Sequence, residues 1–153
     1  MHNSSPIQRL WYGVDHLNFY LRVDFKTGIK PGHDLPPELN LLWFYPDKPM
    51  HNSPVPLAEV PDLAPMNYLY HHHLAIDLLT QSTYFREAAE HYQWHPRVSR
   101  AKVGLDSCLE VSVPWADLQI PPDYPLRLVF ILSDEGRYCE YLPENALIPI
   151  EVP

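Results

Sequence analysis

Apolar and polar positions alternate most cleanly between Leu17 and Phe25. Leu17, Phe19, Leu21 and Val23 fall on one face there, and Asn18, Tyr20, Arg22 and Asp24 on the other. A period of two is the mark of a strand with one buried face. Ile7 to Val14 (IQRLWYGV) precedes this run across Asp15-His16, so the pair predicts a hairpin. Leu39 to Tyr45 (LNLLWFY) is an apolar strand closed by Pro46. Tyr68 to Leu79 (YLYHHHLAIDLL) resumes a strand pattern, and Val98–Val103, Cys108–Val113, Leu126–Ser133, Arg137–Leu142 and Leu147–Val152 are further strands. Asp134-Glu135-Gly136 supplies a hairpin turn, and Pro114 to Leu118 (PWADL) with Ile120-Pro121-Pro122 reads as a turn that crosses from one sheet to another. Residues 83–95 fit two patterns. Tyr84, Phe85, Ala88, Ala89 and Tyr92 recur at helical spacing behind a cap at Ser82 or Thr83, yet Tyr84, Ala88, Tyr92 and Trp94 also share one face of a strand. Local pattern alone favours the helix. About nine strands separated by loops predict an all-β, two-sheet antiparallel sandwich of jelly-roll type.

Composition sharpens this picture. The 153 residues suit one sandwich domain spanning 1–153. Eighteen prolines against five glycines exclude long helices and leave little for a glycine-rich phosphate cradle. Pro46, Pro49, Pro54, Pro56, Pro61 and Pro65 mark a stiff excursion over about 46–66 that has no periodicity. A net charge of −8 opposes a nucleic-acid partner. No apolar run approaches the 18 or so residues of a membrane helix. The opening MHNSSPIQRL lacks the basic start and apolar core of a secretory leader, so a cytoplasmic protein without membrane partners is expected. Cys108 and Cys139 are expected to be free, buried thiols rather than a disulfide.

Several segments together carry a family resemblance. YGVDHLNFYLRVDF resembles the strand pair that opens the C-terminal β-sandwich domain of glycoside hydrolase family 57 proteins, and CLEVSVPWADL resembles a later segment of the same domain. LRLVFILSDEGRYCEYLP followed by LIPIEVP resembles its closing strands, and YLYHHHL with Trp94 is similar to cyanobacterial-type members. FYLRVD and EVSVPWADL are more distantly similar to DOMON and family 9 carbohydrate-binding sandwiches. The likeness runs over residues 7–152 and implies a strand, not a helix, at 83–95. It also implies a non-catalytic accessory domain of an α-glucan-active enzyme, with that enzyme's catalytic barrel and α-glucan as partners. A free-standing carbohydrate-binding module and a purely structural packing module are the alternatives.

The candidate chemistry agrees with a non-catalytic reading. No G-x-S-x-G, H-E-x-x-H, P-loop or C-x-x-C occurs. A retaining glycosidase needs two carboxyls facing each other at ~5 Å, and the acids Asp134, Glu135, Glu140 and Glu144, in or beside one hairpin, read as solvated turn and strand-edge charges. Sugar rings stack their C–H faces on aromatic π-faces. Trp94 with His95, ahead of Arg97, is the candidate platform, and Tyr12 joins these as a carbohydrate or partner contact. Arg22 and Asp24 read as an ion pair. No cofactor is expected. On a strand, His71 and His73 share a face and offer half a zinc shell, which His91 or His95 would complete. The plainer expectation is two exposed histidines and a core His72. Asp24, Asp77 and Asp106 are the carboxylates from which a calcium site would be built.

Overall fold

The computed structural model describes residues 7–30, 33–46, 50–119, 125–142 and 148–151. Its first hairpin joins β1 (Ile7–Val14) to β2 (Asn18–Phe25). Asp15 holds the turn: its Oδ1 accepts the Leu17 and Asn18 amides at 2.8 and 2.7 Å, and Tyr20 donates its hydroxyl to Oδ2. These bonds, the Asn18 amide foremost, hold the Asp15 carboxyl below its ordinary range. The chain continues through β3 (Glu38–Phe44), β4 (His72–Asp77), β5 (Thr83–Ala89), β6 (Gln93–Arg97), β7 (Lys102–Leu105) and β8 (Cys108–Pro114). A single helical turn, α1 (Trp115–Leu118), then leads towards β9 (Pro125–Asp134), β10 (Arg137–Leu142) and β11 (Ile148–Glu151).

Two antiparallel sheets form the expected sandwich. One has four strands in the order β1-β2-β8-β7. The other runs β10-β9-β3-β4-β5-β6, with β11 also on β9. Since β3 occupies one side of β9 along residues 127–133, β10 and β11 share its other side in succession. The segment PWADL does link strands of different sheets, and Trp115 ties it back to the first hairpin by donating Nε1–H to the Asp15 carbonyl at 2.8 Å. In the β9–β10 turn, Glu135 and Gly136 take φ of 49° and 77°, the left-handed pair that a two-residue hairpin turn requires.

The core lies between the sheets. Phe19, Leu21 and Val23 from β2 and Leu109, Val111 and Val113 from β8 meet Leu39, Leu41, Trp43, Leu74, Ile76, Leu126, Leu128 and Phe130. Phe19 bridges the layers, meeting Trp43 and Trp115 edge-on with ring centroids 6.2 Å away in each case. A second apolar cluster sits on the outside of the large sheet. Leu42, Tyr70, Val129 and Ile131 are covered there by Val55 and Met66 of the proline-rich segment. That segment is pinned by backbone pairing of Ser53 with Tyr70 and of Ala58 with the β10 hairpin.

At 83–95 the strand implied by the resemblance is present and the helix of the local pattern is not, and three further expectations are corrected. Residues 83–95 form β5, a short 3-10 turn (Glu90–Tyr92) and the start of β6, because His91 and Tyr92 take left-handed φ near 60° and no helix can pass through them. The strand expected from Val98 begins only at Lys102. Asp117 draws the intervening stretch away by accepting bonds from the Ser99 hydroxyl and the Arg100 amide. The cysteines are free, but Cys139 is exposed and Cys108 only half-buried. All three histidines of the run are buried, none more than 2% exposed. A β-bulge explains part of this. His72 is the register partner of Trp43, yet the His71 amide also donates to the Trp43 carbonyl, so two residues oppose one. The bulge shifts the alternation, so Tyr70 faces outward while His72 joins Leu74 and Ile76 on the inner side.

Candidate functional site

The outer face of the four-stranded sheet is built from the polar half of the alternating pattern. Cross-strand register sets Trp11 beside Arg22, Arg22 beside Glu110 and Glu110 beside Gly104. A parallel row runs Gly13, Tyr20, Ser112, Lys102. Together these rows line a groove of about 570 Å³. Trp11 is 51% exposed and Tyr20 40%, so both rings are available to a ligand. Asp24 fixes the geometry at one end: it accepts Trp11 Nε1–H at 3.1 Å and Arg22 Nε–H at 2.9 Å. The Arg22 bond, then the Trp11 bond, holds the Asp24 carboxyl below its ordinary range, so both partners face a charged acceptor. Arg9 stacks over the Trp11 ring at 5.8 Å. Gly13 and Gly104 have open space where a Cβ would be and leave the floor of the groove flat. An aromatic surface flanked by fixed charged and hydroxyl groups stacks on sugar C–H faces and hydrogen-bonds their hydroxyls.

The residues singled out from sequence do not come together there. Trp94 lies on the outer face of the large sheet, half-buried, and donates its indole N–H to the Pro54 carbonyl at 2.9 Å. His95 and Arg97 alternate with it onto the opposite face of β6, where Arg97 pairs with Glu87 at 3.2 Å. Tyr12 is half exposed and lines the groove, although its register partner is the core residue Leu21, which sets it at the rim of the sandwich. Trp11 and Tyr20 were not placed in the site from sequence. The signal for Tyr20 was its position on the polar face of the cleanest alternating run. Arg22 and Asp24 do form an ion pair, within one strand.

His71 and His73 are held by different partners. His71 Nδ1 accepts the Tyr45 amide, and its ring stacks on Tyr45 at 5.0 Å. His73 Nδ1 accepts from Arg86 Nε and Nη2 at 3.1 and 3.0 Å, which places its proton on Nε2, 2.8 Å from Asn40 Oδ1. Burial, aided by the Arg86 charge, lowers the His73 pKa to about 3. With one nitrogen protonated and the other facing a guanidinium, His73 has no lone pair to give a metal. Asp24 and Asp77, two of the carboxylates considered for calcium, lie on different sheets. Among the described residues, no three His, Cys, Asp or Glu side chains gather as a metal site would need. No helix among them is long and apolar enough to cross a membrane.

The fold and groove define an all-β two-sheet sandwich with one open aromatic face. Comparison with protein-family models, curated proteins and solved structures finds no match to this chain.

Proposed function

We propose that this chain is a non-catalytic accessory sandwich of an α-glucan-active enzyme of the glycoside hydrolase family 57 kind, and that it contacts glucan through the outer face of its four-stranded sheet. The resemblance of the strand motifs suggests the enzyme class. The groove bearing Trp11 and Tyr20 above Arg22, Glu110 and Lys102 is the single observation that carries the contact. Glucose rings offer a C–H face to each aromatic and hydroxyls to the charged groups between them. Isothermal titration with maltooligosaccharides tests the reading. Saturable heat at millimolar sugar is expected, with Trp11→Ala weakening it by about tenfold or more, the scale of an aromatic anchor. Absence of saturable heat at millimolar sugar in the parent chain removes the glucan contact.

A second reading, packing against a catalytic barrel, is favoured by the apolar rim at the first hairpin, where Tyr12, Val14 and Leu17 are exposed at 48%, 37% and 62%. If that rim alone is used, Leu17→Asp abolishes association with the barrel while sugar titration of the isolated chain stays silent.

A further inference from the structure

On the opposite side of the molecule, a hydrogen-bonded chain crosses four strands of the large sheet. Arg86 on β5 donates to His73 on β4, and the His73 Nε2 proton is directed at Asn40 on β3. Asn40 Nδ2 donates to Ser133 Oγ on β9 at 2.7 Å, and Ser133 donates in turn to Glu38 Oε1 at 2.7 Å. Every link from the cation to the carboxylate is thus a donor facing an acceptor. The chain forms one wall of a cleft of about 310 Å³, which Pro56 and Leu57 of the proline-rich segment close from the side.

Arg86 is incompletely answered. Its Nε and one Nη2 proton meet a neutral imidazole, and among the described residues no carboxylate reaches it. Glu87, next in sequence, points to the other face and is taken by Arg97. The guanidinium lies against the Tyr84 ring at 5.2 Å and the Trp94 ring at 6.0 Å, a setting that holds it in place. Burial lowers its pKa from the ordinary value, so the charge is partly stripped of water without an ion to replace it. Its Nη1–Nη2 fork is left for an acceptor, and that fork matches a carboxylate or phosphate in two parallel bonds.

We propose that this cleft is a second ligand site, taking the carboxylate or phosphate group of a small hydroxylated molecule on the Arg86 fork. Asp77 and Glu38 line the same cleft and accept from the molecule's hydroxyl or amine groups. At about 310 Å³ the space suits a ligand of roughly sugar-phosphate size or smaller. The site lies on the other sheet from the glucan groove, so either proposal can fail alone.

The test follows the four tryptophan indole N–H signals by nuclear magnetic resonance during titration with inorganic phosphate, and separately acetate, against chloride at matched ionic strength. Saturable movement of the Trp94 signal with Trp11 unmoved is expected. The oxyanion giving the tighter curve identifies the group preferred. Arg86→Lys, which keeps the charge but loses the fork, is expected to weaken binding by about tenfold. Ala75→Leu, which fills the cleft beside Asn40 and Tyr84 while leaving every Arg86 bond in place, is expected to abolish it. A Trp94 shift no larger than chloride produces, or equal affinity in both variants and the parent, overturns the proposal.

Discussion

The outer face of the four-stranded sheet is open, whereas the β3–β9 centre of the large sheet's outer face lies under the proline-rich segment. On the open side, Tyr20 and Arg22 are exposed and Asp24 half-buried, and the opposite face of the same strand supplies Phe19, Leu21 and Val23 to the core. On the covered side, β3 buries both faces: Leu39, Leu41 and Trp43 inward, Asn40 and Leu42 outward. A half-exposed sheet needs only one apolar face per strand, but a middle layer needs two. The sandwich is therefore a three-layer arrangement on one side and a two-layer arrangement on the other. Beneath the cover, polar groups are tied into hydrogen bonds, as in the Asn40–Ser133–Glu38 chain, and Arg86 at the uncovered margin keeps free donors. The open side can present charge and aromatic surface to a ligand.

The largest test of this contrast is a pair of tyrosine truncations. Tyr70 is fully buried beneath the proline-rich segment and donates its hydroxyl to the Pro65 carbonyl at 2.6 Å. Tyr70→Ala is expected to cost about 3–5 kcal/mol in urea unfolding, the range for a buried aromatic. Tyr20→Ala removes an exposed ring and one bond to Asp15, and is expected to cost about 1 kcal/mol or less. Equal costs would mean that the segment is not a third layer in energetic terms.

Acid separates the two sides next. The His73 pKa is lowered to about 3 in the fold against an ordinary 6.5, so the unfolded chain binds the proton first. Its contribution to stability is complete above pH 6.5 and is lost as pH falls from there towards 3. Between pH 7 and pH 5 the loss from this one group is expected to be about 2 kcal/mol. Asp15 and Asp24 on the open side, held below the ordinary carboxyl range, keep their contribution above about pH 4 and lose it only below that. Urea melts at pH 7 and 5 check this, and His73→Gln should flatten the difference. A parent protein equally stable at both pH values would show that the buried side has no titrating histidine.

Much of this contrast is written in the strand texture. LNLLWFY is nearly continuous in apolar residues, as LRLVFIL is, and a continuous run belongs to a strand covered on both faces. The alternating run around Tyr20 belongs to one with a wet side. What the pattern does not carry is long-range. That the proline-rich segment is the cover depends on Ser53 and Ala58 finding strand edges distant in sequence. The bulge at His71 and His72 depends on how β4 meets Trp43, and a period-two reading through it misassigns the histidine faces. Trp94 resembles an exposed platform locally because the carbonyl that receives its indole belongs to Pro54. The rings of the aromatic groove, Trp11, Tyr12 and Tyr20, all belong to one hairpin, but the groove itself needs β1, β2, β8 and β7 side by side.

The smallest expected effect bears on the open face itself. Gly13 sits within β1 opposite Tyr20, its φ is not in the left-handed region, and a Cβ there would meet nothing within 4 Å. Neither turn geometry nor close packing calls for glycine at that place. A glycine inside a strand is less stable than alanine by roughly 0.5–1 kcal/mol, and β-branched residues favour strands further. Gly13→Val is therefore expected to raise stability by about 0.5–1 kcal/mol in urea unfolding. The same change puts a branched side chain on the groove floor beside Tyr20, so maltooligosaccharide binding should weaken as stability rises. Opposite movement of the two quantities fits a position kept flat for a ligand. A stability gain with sugar affinity unchanged would move the contact away from this floor, and a stability loss would assign Gly13 a backbone role.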